Sequence, residues 1–367
     1  MVLKYIFISI MLIHGLIHLM GFTKAFNYAE INQLSQPISK NTGLIWLLAA
    51  ALFVVATALF LVKKDSWWMV ATVAVVVSQF LIINNWQDAK FGSIANVFIL
   101  VFVIVGFFQT KFKNEYKDEV KIGLAQTGSL PKTMLTEADI KDLPEPVKKY
   151  IRYTGCIDKP IVHNFRINFS GKIRDHKKPV WMPLTSEQYN FIQTPTRLFY
   201  LDATMKGLPV GGFHCFKNGF AFMDIRLLSI FKVAYQSGAV MDTSETVTFF
   251  NDMCVMAPAA LIDKRIEWLE VEGNKVKAAF TNNGITVSAW LYFNEKGELV
   301  NFVSFDRSAA NEDGTVEKLK WSTPMRDYKS INGYKLASYA ETIYTYPGGD
   351  FTYATFELKD IGYNLTK

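Results

Sequence analysis

The sequence predicts a four-helix transmembrane bundle followed by an α+β soluble domain, built as a large curved antiparallel β-sheet (an open half-barrel) with one or two inserted helices. Three observations predict it. Charge is segregated, with 8 charged residues among the 106 from Tyr5 to Thr110 and 63 among the 257 from Lys111 to Lys367. The first part holds four long uncharged apolar runs, and the second alternates apolar and polar residues between compact turn signals. The domains therefore read as 1–110, transmembrane; 111–134, a helical exit and linker; and 135–367, the soluble half-barrel.

The four runs are Tyr5–Phe22, Leu44–Val62, Ser66–Ile83 and Gly92–Thr110. Each is long enough for about 30 Å of hydrocarbon, which takes roughly 18–20 helical residues. In lipid every backbone N–H must bond within the chain, so runs of this kind are helices. Trp46, Trp67, Trp68 and Trp86 lie near run ends, where amphipathic rings favour the interface. Only Lys63-Lys64-Asp65 separates the second and third runs, which makes them an antiparallel pair. The first run is read as a retained span rather than a cleaved signal, because no A-x-A-like site follows it. With the N-terminus inside, the inner side carries six lysines (Lys4, Lys63, Lys64, Lys111, Lys113, Lys117) against three outside (Lys24, Lys40, Lys90). That asymmetry leans the soluble domain toward the cytoplasm of a multi-pass protein of the plasma or inner membrane.

His14 and His18 sit four apart on the first run and so share one helix face. Three readings are open: hydrogen bonds between helices, a metal or haem site needing further ligands, or a proton relay with Gln79, Asn84 or Asn96. No carboxylate lies within any span, and Asp88 in the third loop reaches only the rim.

In the second part, Glu137–Tyr153 reads as a short amphipathic helix interrupted near Pro144 and Pro146. Thirteen candidate strands follow, from Ile161–Ile173 to Phe351–Asp360, the fourth being Gly212–Lys217. Turn signals such as Asn218-Gly219, Asn283-Gly284, Glu312-Asp313-Gly314 and Asn332-Gly333 are too short for parallel crossovers, so the strands form an antiparallel meander. So many strands must curl rather than lie flat. One helix interrupts them, with Asp242 as N-cap and Glu245 in capping-box spacing, then Val247, Phe250, Cys254, Ala257 and Leu261 on one face. Pro258 should split it and Asp263 end it.

Several motifs carry a resemblance. Val180-Trp181-Met182-Pro183, Pro195-Thr196-Arg197-Leu198-Phe199, Ala203-Thr204-Met205-Lys206-Gly207-Leu208-Pro209, Met223-Asp224-Ile225-Arg226 and Tyr346-Pro347-Gly348-Gly349-Asp350-Phe351, with the leader His14-Gly15-Leu16-Ile17-His18, resemble a family of uncharacterised bacterial multi-pass membrane proteins known as a domain of unknown function. The resemblance spans nearly the whole chain and implies no reaction. At fold level the soluble part is similar to lipid-carrier half-barrels of the LolA/LppX type, an analogy of architecture.

Composition narrows the chemistry. From Lys111 onward, 33 basic residues face 30 acidic ones with no dense basic stretch, which disfavours a nucleic-acid partner. Cys156, Cys215 and Cys254 are an odd, widely spaced set that suits neither disulfides nor zinc. No GxSxG, GxxxxGK or GxGxxG occurs, and Ser129-Leu130-Pro131-Lys132 lies in the linker without companion motifs. His214-Cys215 is not followed by a second metal-binding pair. No cofactor is implied.

What stands out is charge inside apolar strands. Arg197, Asp224, Arg226, Arg307 and Glu341 each alternate with apolar residues, and buried charge is costly unless paired, so Arg–carboxylate contacts are expected among them. With Trp181, Phe222 and Tyr344 they are the candidate ligand-binding set. The leading expectation is a membrane-anchored, non-catalytic binding protein for a lipid or other hydrophobic ligand. The alternatives are an enzyme on a lipid-phase substrate, working through Asp224, Arg226 and Glu341, or a membrane sensor or assembly factor.

Overall fold

The computed structural model describes residues 2–176, 180–310 and 315–366, so the Glu312-Asp313-Gly314 turn lies outside the described residues. The chain divides into two compact units, one of residues up to Lys113 with Leu228–Ile230, the other of Asn114–Leu227 and Phe231 onward.

In the first unit the elements are α1 (Val2–Ile17), α2 (Leu19–Ala25), α3 (Lys40–Leu61), α4 (Trp67–Asn84), α5 (Trp86–Ala89) and the start of α6 (Gly92–Thr127). Among the described residues, four helices are long and apolar enough to span a membrane: Leu3–Ala25, Lys40–Leu61, Trp67–Asn84 and Gly92–Thr127. The first departs from expectation. It is broken at His18, whose N–H bonds back to Gly15 O at 3.1 Å, a closure three residues long instead of four. Phe7, Phe53, Trp67, Ala71 and Ile99 make the buried centre.

The second unit contains the end of α6, a short helix α7 (Glu145–Tyr153), and the strands β1 (Asn164–Ile173), β2 (Met182–Phe191), β3 (Thr196–Met205), β4 (Leu208–Lys217), β5 (Phe220–Leu227) and β6 (Phe231–Ser237). A long helix α8 (Ala239–Met256) and a 3-10 turn (Pro258–Ile262) come next. The remaining strands are β7 (Ile266–Glu272), β8 (Lys275–Asn282), β9 (Ile285–Phe293), β10 (Leu299–Ser304), β11 (Ser308–Ala310), β12 (Val316–Lys318), β13 (Lys320–Ser322), β14 (Met325–Ile331), β15 (Tyr334–Tyr346) and β16 (Gly349–Tyr363). Fourteen of them form one antiparallel sheet in the order β6-β5-β4-β3-β2-β1-β16-β15-β13-β10-β9-β8-β7, with β14 paired to β15. β11 and β12 pair separately.

The sheet does not close: β6 and β7 are its edges. The chain must pass from one edge to the other between Ser237 and Ile266, and it does so through α8. The half-barrel expectation holds, with α8 as its inserted helix. Phe249, Phe250, Phe280 and Phe302 are fully buried where α8 packs on the sheet. The opposite, outer face of β2–β5 carries the end of α6: the Tyr116 ring lies 5.5 Å from Tyr200 and 5.7 Å from Phe213, and its hydroxyl donates to Glu187 Oε1 at 3.2 Å.

Four local expectations need correction. α8 begins at Ala239 behind Gly238 at φ +96°, so Asp242 is not the N-cap; its carboxylate accepts from Ala221 N–H at 2.6 Å. The expected helix from Glu137 starts only at Glu145, after Pro144. β4 begins at Leu208, four residues early, because Pro209 and Gly211-Gly212 read as breakers although Pro209 pairs with Thr204. β6 escaped notice because its turn uses Leu228 and Ser229, both at φ +56°, residues that do not advertise a left-handed turn. By contrast Asn218-Gly219 and Asn332-Gly333 have positive φ at both positions, as type I′ hairpins require.

The sheet centre offers a test. A Cβ on Gly171 would lie 2.0 Å from Thr355 O, a backbone atom of the paired strand β16, whereas one on Gly348 meets nothing within 4 Å. Gly171→Ala is therefore expected to cost about 1–3 kcal/mol of sheet-unit stability, read as a lower unfolding temperature, with Gly348→Ala as the near-neutral control. Equal unfolding temperatures would show the β1–β16 register to be wrong.

Candidate ligand-binding site

Side chains in a strand alternate between faces, so the register assigns each candidate residue a side. Arg197 is paired across β2 and β4 with Asn190 and Phe216, and it shares the inner face with Phe199, Leu201 and Ala203. α8 supplies what it meets there. Arg197 Nη1 lies 3.0 Å from Glu245 Oε2, Nε donates to Asp252 Oδ2 at 2.8 Å, and Nη2 donates to Gln188 Oε1 at 3.0 Å. Gln188 Nε2 and Asn190 Nδ2 also donate to Asp252 Oδ2, at 2.7 and 3.1 Å. Every nitrogen of that guanidinium is engaged.

Arg307 approaches the same Glu245 from just beyond β10. Its Nε donates to Tyr344 Oη at 3.0 Å, and its Nη1 donates to Ser244 O at 2.8 Å and to Thr248 Oγ1. Tyr344 in turn donates to Ser308 O at 2.9 Å. The guanidinium sits 4.8 Å above the Trp321 ring. Its Nη2 is 3.8 Å from Glu245 Oε1, an ion pair too long for a hydrogen bond. Glu245 is thus shared by two cations from opposite halves of the sheet.

Electrostatics follow from this sharing. Burial works to raise the Glu245 carboxyl, but Arg197 and Arg307 together hold it below its usual range. Burial pushes the Asp252 carboxyl up despite Arg197 and Asn190. Burial would also discharge Arg307, yet Tyr344, Tyr353 and Glu245 hold its pKa above the ordinary value. His214, opposite Phe199 on β4, faces the same interior, with its ring edge-on to Phe199 at 5.5 Å. Burial and the two arginines pull it down to about 4 against the pull of Glu245, so it is neutral at pH 7.

The other candidates lie elsewhere. Asp224 and Arg226 share the outer face, where they pair with each other at 2.8 Å and, through Arg226, with Glu115 of α6 at 3.4 Å. Phe222 is on that face too, 5.4 Å from Phe213. Glu341 pairs with Arg326 at 3.2 Å on β15, which five strands separate from β5. Trp181 precedes β2 at the strand ends, with Arg174 at 4.3 Å and Lys172 at 4.7 Å from its ring. Of the Arg–carboxylate contacts expected among the five charges, Arg226–Asp224 forms, whereas Arg197, Arg307 and Glu341 take partners outside the set, because alternation tells which residues share a face but not which face turns inward. Asp224, Arg226 and Glu341 form no common cleft, which removes the geometry the enzyme alternative needs. Glu245 and Asp252 were missed as site residues. The signal was present: they stand seven apart, on one helix face, in a helix with no lysine or arginine.

In the helical unit, His14 Nε2 lies 2.9 Å from Asn96 Oδ1, and His18 Nδ1 donates to His14 O at 2.8 Å. Since His18 Nδ1 carries the proton, its Nε2 accepts from Ser78 Oγ at 2.9 Å. Asn96 Nδ2 donates to Ser78 Oγ and Gln79 Oε1 at 3.0 and 3.1 Å. Both imidazoles are thus hydrogen-bonded between helices, while Asn84, among the described residues, bonds within its own helix to Phe80 O. Among the described residues, no group of three or more His, Cys, Asp or Glu is placed to hold a metal.

Residues 133–356, from just before α7 to the middle of β16, match DUF6544, described as a family of unknown function. The chain belongs to that family. The resemblance carried by the Trp181, Arg197, Asp224 and Tyr346 motifs is thereby a membership, and the helical unit lies outside the matched segment. No curated protein matches the chain. Among solved structures, this DUF6544 member is similar to a putative outer membrane lipoprotein-sorting protein domain from Vibrio parahaemolyticus, at 10% identity over 55% of this chain and 85% of that one, TM-score 0.31. It is similar also to a DUF1329 family protein from Desulfovibrio piger, at 10% identity over 64% and 95%, TM-score 0.35. A LolA superfamily protein from Nitrosomonas europaea is a third, at 10% identity over 59% and 91%, TM-score 0.32.

His214 sets a pH dependence. Its folded value near 4 lies below the ordinary 6.5, so between these limits the unfolded chain binds a proton that the folded chain refuses. Its contribution is intact above about pH 6.5 and is lost as pH falls toward about 4. His214→Gln should flatten the stability–pH profile in that window, measured by denaturant unfolding in lipid nanodiscs. Parallel profiles for the two proteins would show that His214 titrates as if exposed.

Proposed function

We propose that this chain is a membrane-anchored protein whose sheet unit binds a lipid or other apolar molecule on its inner face, without a reaction of its own. The observation that carries the reading is uneven filling of that face. Toward the C-terminal end of α8, Phe216, Phe249, Phe250 and Phe280 are fully buried. Toward the strand ends at Ile173, Met205 and Leu227, the inward residues Ile173, Met205, Ile225 and Phe356 stay half-buried around Leu184, Phe199, Leu201 and Val210, and Met223, opposite His214, is half-buried where the main core begins. Apolar residues facing inward yet still accessible line an unfilled stretch, the form that sites for apolar ligands take. Arg197 of the candidate set borders this stretch, 4.8 Å over the Phe199 ring, and Trp181 precedes Met182, the partner of Ile173, at its strand ends.

The photoreactive residue p-benzoylphenylalanine placed at Met223 in the full chain, in cell membranes, is expected to yield an adduct of lipid mass on irradiation. The same residue at Phe222, on the outer face, should yield none. No lipid-mass adduct at Met223 would defeat the proposal. The sensor or assembly reading draws on the edge strand β6, where Phe231, Val233 and Tyr235 are exposed. A protein-mass adduct at Val233 together with none at Met223 would favour it.

For localisation, we propose a multi-pass protein of the cell membrane with the sheet unit on the cytoplasmic side, supported by the lysine asymmetry. A C-terminal alkaline phosphatase fusion should be inactive and a C-terminal fluorescent protein bright. The reverse pair of results would place the unit outside.

A further inference from the structure

We propose that the inner stretch takes an acyl-chain amphiphile whose head is an oxyanion, a carboxylate or a phosphate, received by Arg307 Nη2 and the His214 ring. This rests on the ligand-binding reading above and names its ligand class.

The two arginines of the interior are not equivalent. Arg197 has an acceptor for each of its three nitrogens. Arg307 does not: among the described residues its Nη2 makes no hydrogen bond and has only Glu245 Oε1 at 3.8 Å. Nor is Nη2 among the buried atoms that are shut off from solvent without a partner. It is therefore an accessible pair of N–H donors on a cation. The nearest carboxylate is already committed at 3.0 Å to Arg197, so the positive charge of Arg307 is only partly matched. A guanidinium with one free edge suits an oxyanion better than a neutral hydroxyl.

His214 belongs to the same cluster through Phe199: its ring lies edge-on to Phe199 at 5.5 Å, Arg197 sits 4.8 Å over that ring, and Arg197 and Arg307 share Glu245. His214 is half-buried and its ring has no hydrogen-bond partner among the described residues. A neutral imidazole there supplies one N–H donor. Farther along the same face, between Phe169 and Leu201, Ser186 Oγ is buried without a partner. The cation meets α8 over the interior, while the donor and the apolar floor lie on the inner face of β2–β5, a combination that suits an amphiphile.

The full chain in phosphatidylcholine nanodiscs is tested with three diazirine-bearing sixteen-carbon probes: the fatty acid, the alkyl phosphate and the fatty alcohol. Labelling of the peptides containing Met205 and Met223 is read by mass spectrometry. The acid or the phosphate should label at concentrations at least about tenfold below the alcohol, and whichever is stronger identifies the head. Arg307→Gln should bring that preference below about twofold, and His214→Phe should reduce it by a smaller factor. Arg307 also ties α8 down, so if Arg307→Gln fails to fold, the decision passes to His214→Phe. Equal labelling by acid, phosphate and alcohol overturns the head assignment and leaves apolar binding standing. Absence of labelling by all three overturns both.

Discussion

The second unit depends on Glu245 meeting Arg197 and Arg307. An open sheet whose two edges are joined by one connection must route that connection across its own interior. Here the connection is α8, buried from Met241 onward except at the part-buried Thr243 and Asp252. Its apolar residues, Val247, Phe250 and Cys254, pack into the core as any helix face would. Its polar side lies largely away from water, so the carboxylates need cations brought from the sheet. β3 supplies one and the segment after β10 the other, so a single carboxylate bridges the two meanders that make the halves of the sheet. Desolvating such a cluster offsets much of its Coulomb attraction, but removing one partner strands the others at a cost of about 3–5 kcal/mol. The cluster therefore selects the position of α8 more than it adds to stability.

The helical unit solves the same problem without ions. His14, His18, Ser78, Asn96 and Gln79 are buried or part-buried polar groups in surroundings as apolar as lipid. Donors and acceptors run in one direction, from the Asn96 amide to Ser78, from Ser78 to His18, and from His18 to the His14 carbonyl. Each neutral group meets its complement, so no charge has to be desolvated. The break at His18 belongs to this arrangement, since it is His18 itself that bonds back to Gly15 and whose ring reaches Ser78.

Much of the fold was legible before any coordinates. Charge segregation marks four spans because a lysine in hydrocarbon is costly whatever its neighbours. Asn-Gly pairs mark hairpins because few residue pairs tolerate two positive φ values. Where those local penalties are absent, legibility ends. Leu228-Ser229 makes a left-handed turn without glycine, so β6 was invisible, and Pro209 sits in a strand against its usual habit. The site was half legible for a related reason. Period-2 alternation groups Arg197 with Phe199 and Asp224 with Phe222, but both faces of β2–β5 are covered, one by α8 and the other by the end of α6. An inward and an outward charge then look alike in sequence. Only the helix that meets each face distinguishes them, and the acidic face of α8, Glu245 and Asp252, is what identifies Arg197 as inward.

Covering both faces of β2–β5 also explains why apolar residues at one end of the interior can stay half-covered. A sheet packed on its outer side by α6 residues such as Tyr116 already has support for β2–β5, so the inner side need not be fully packed to hold those strands in place. α8 fills the end beneath its own C-terminal turns and leaves Met205, Met223 and Ile225 half-covered at the other. Apolar surface left open in this way is tolerated only if it costs less than the strain of closing over it, or if something else occupies it. The strands there cannot curl further without breaking the Glu245 bridge, which holds both halves at a fixed separation. The interaction that orders the core is thus also the one that keeps the stretch from collapsing.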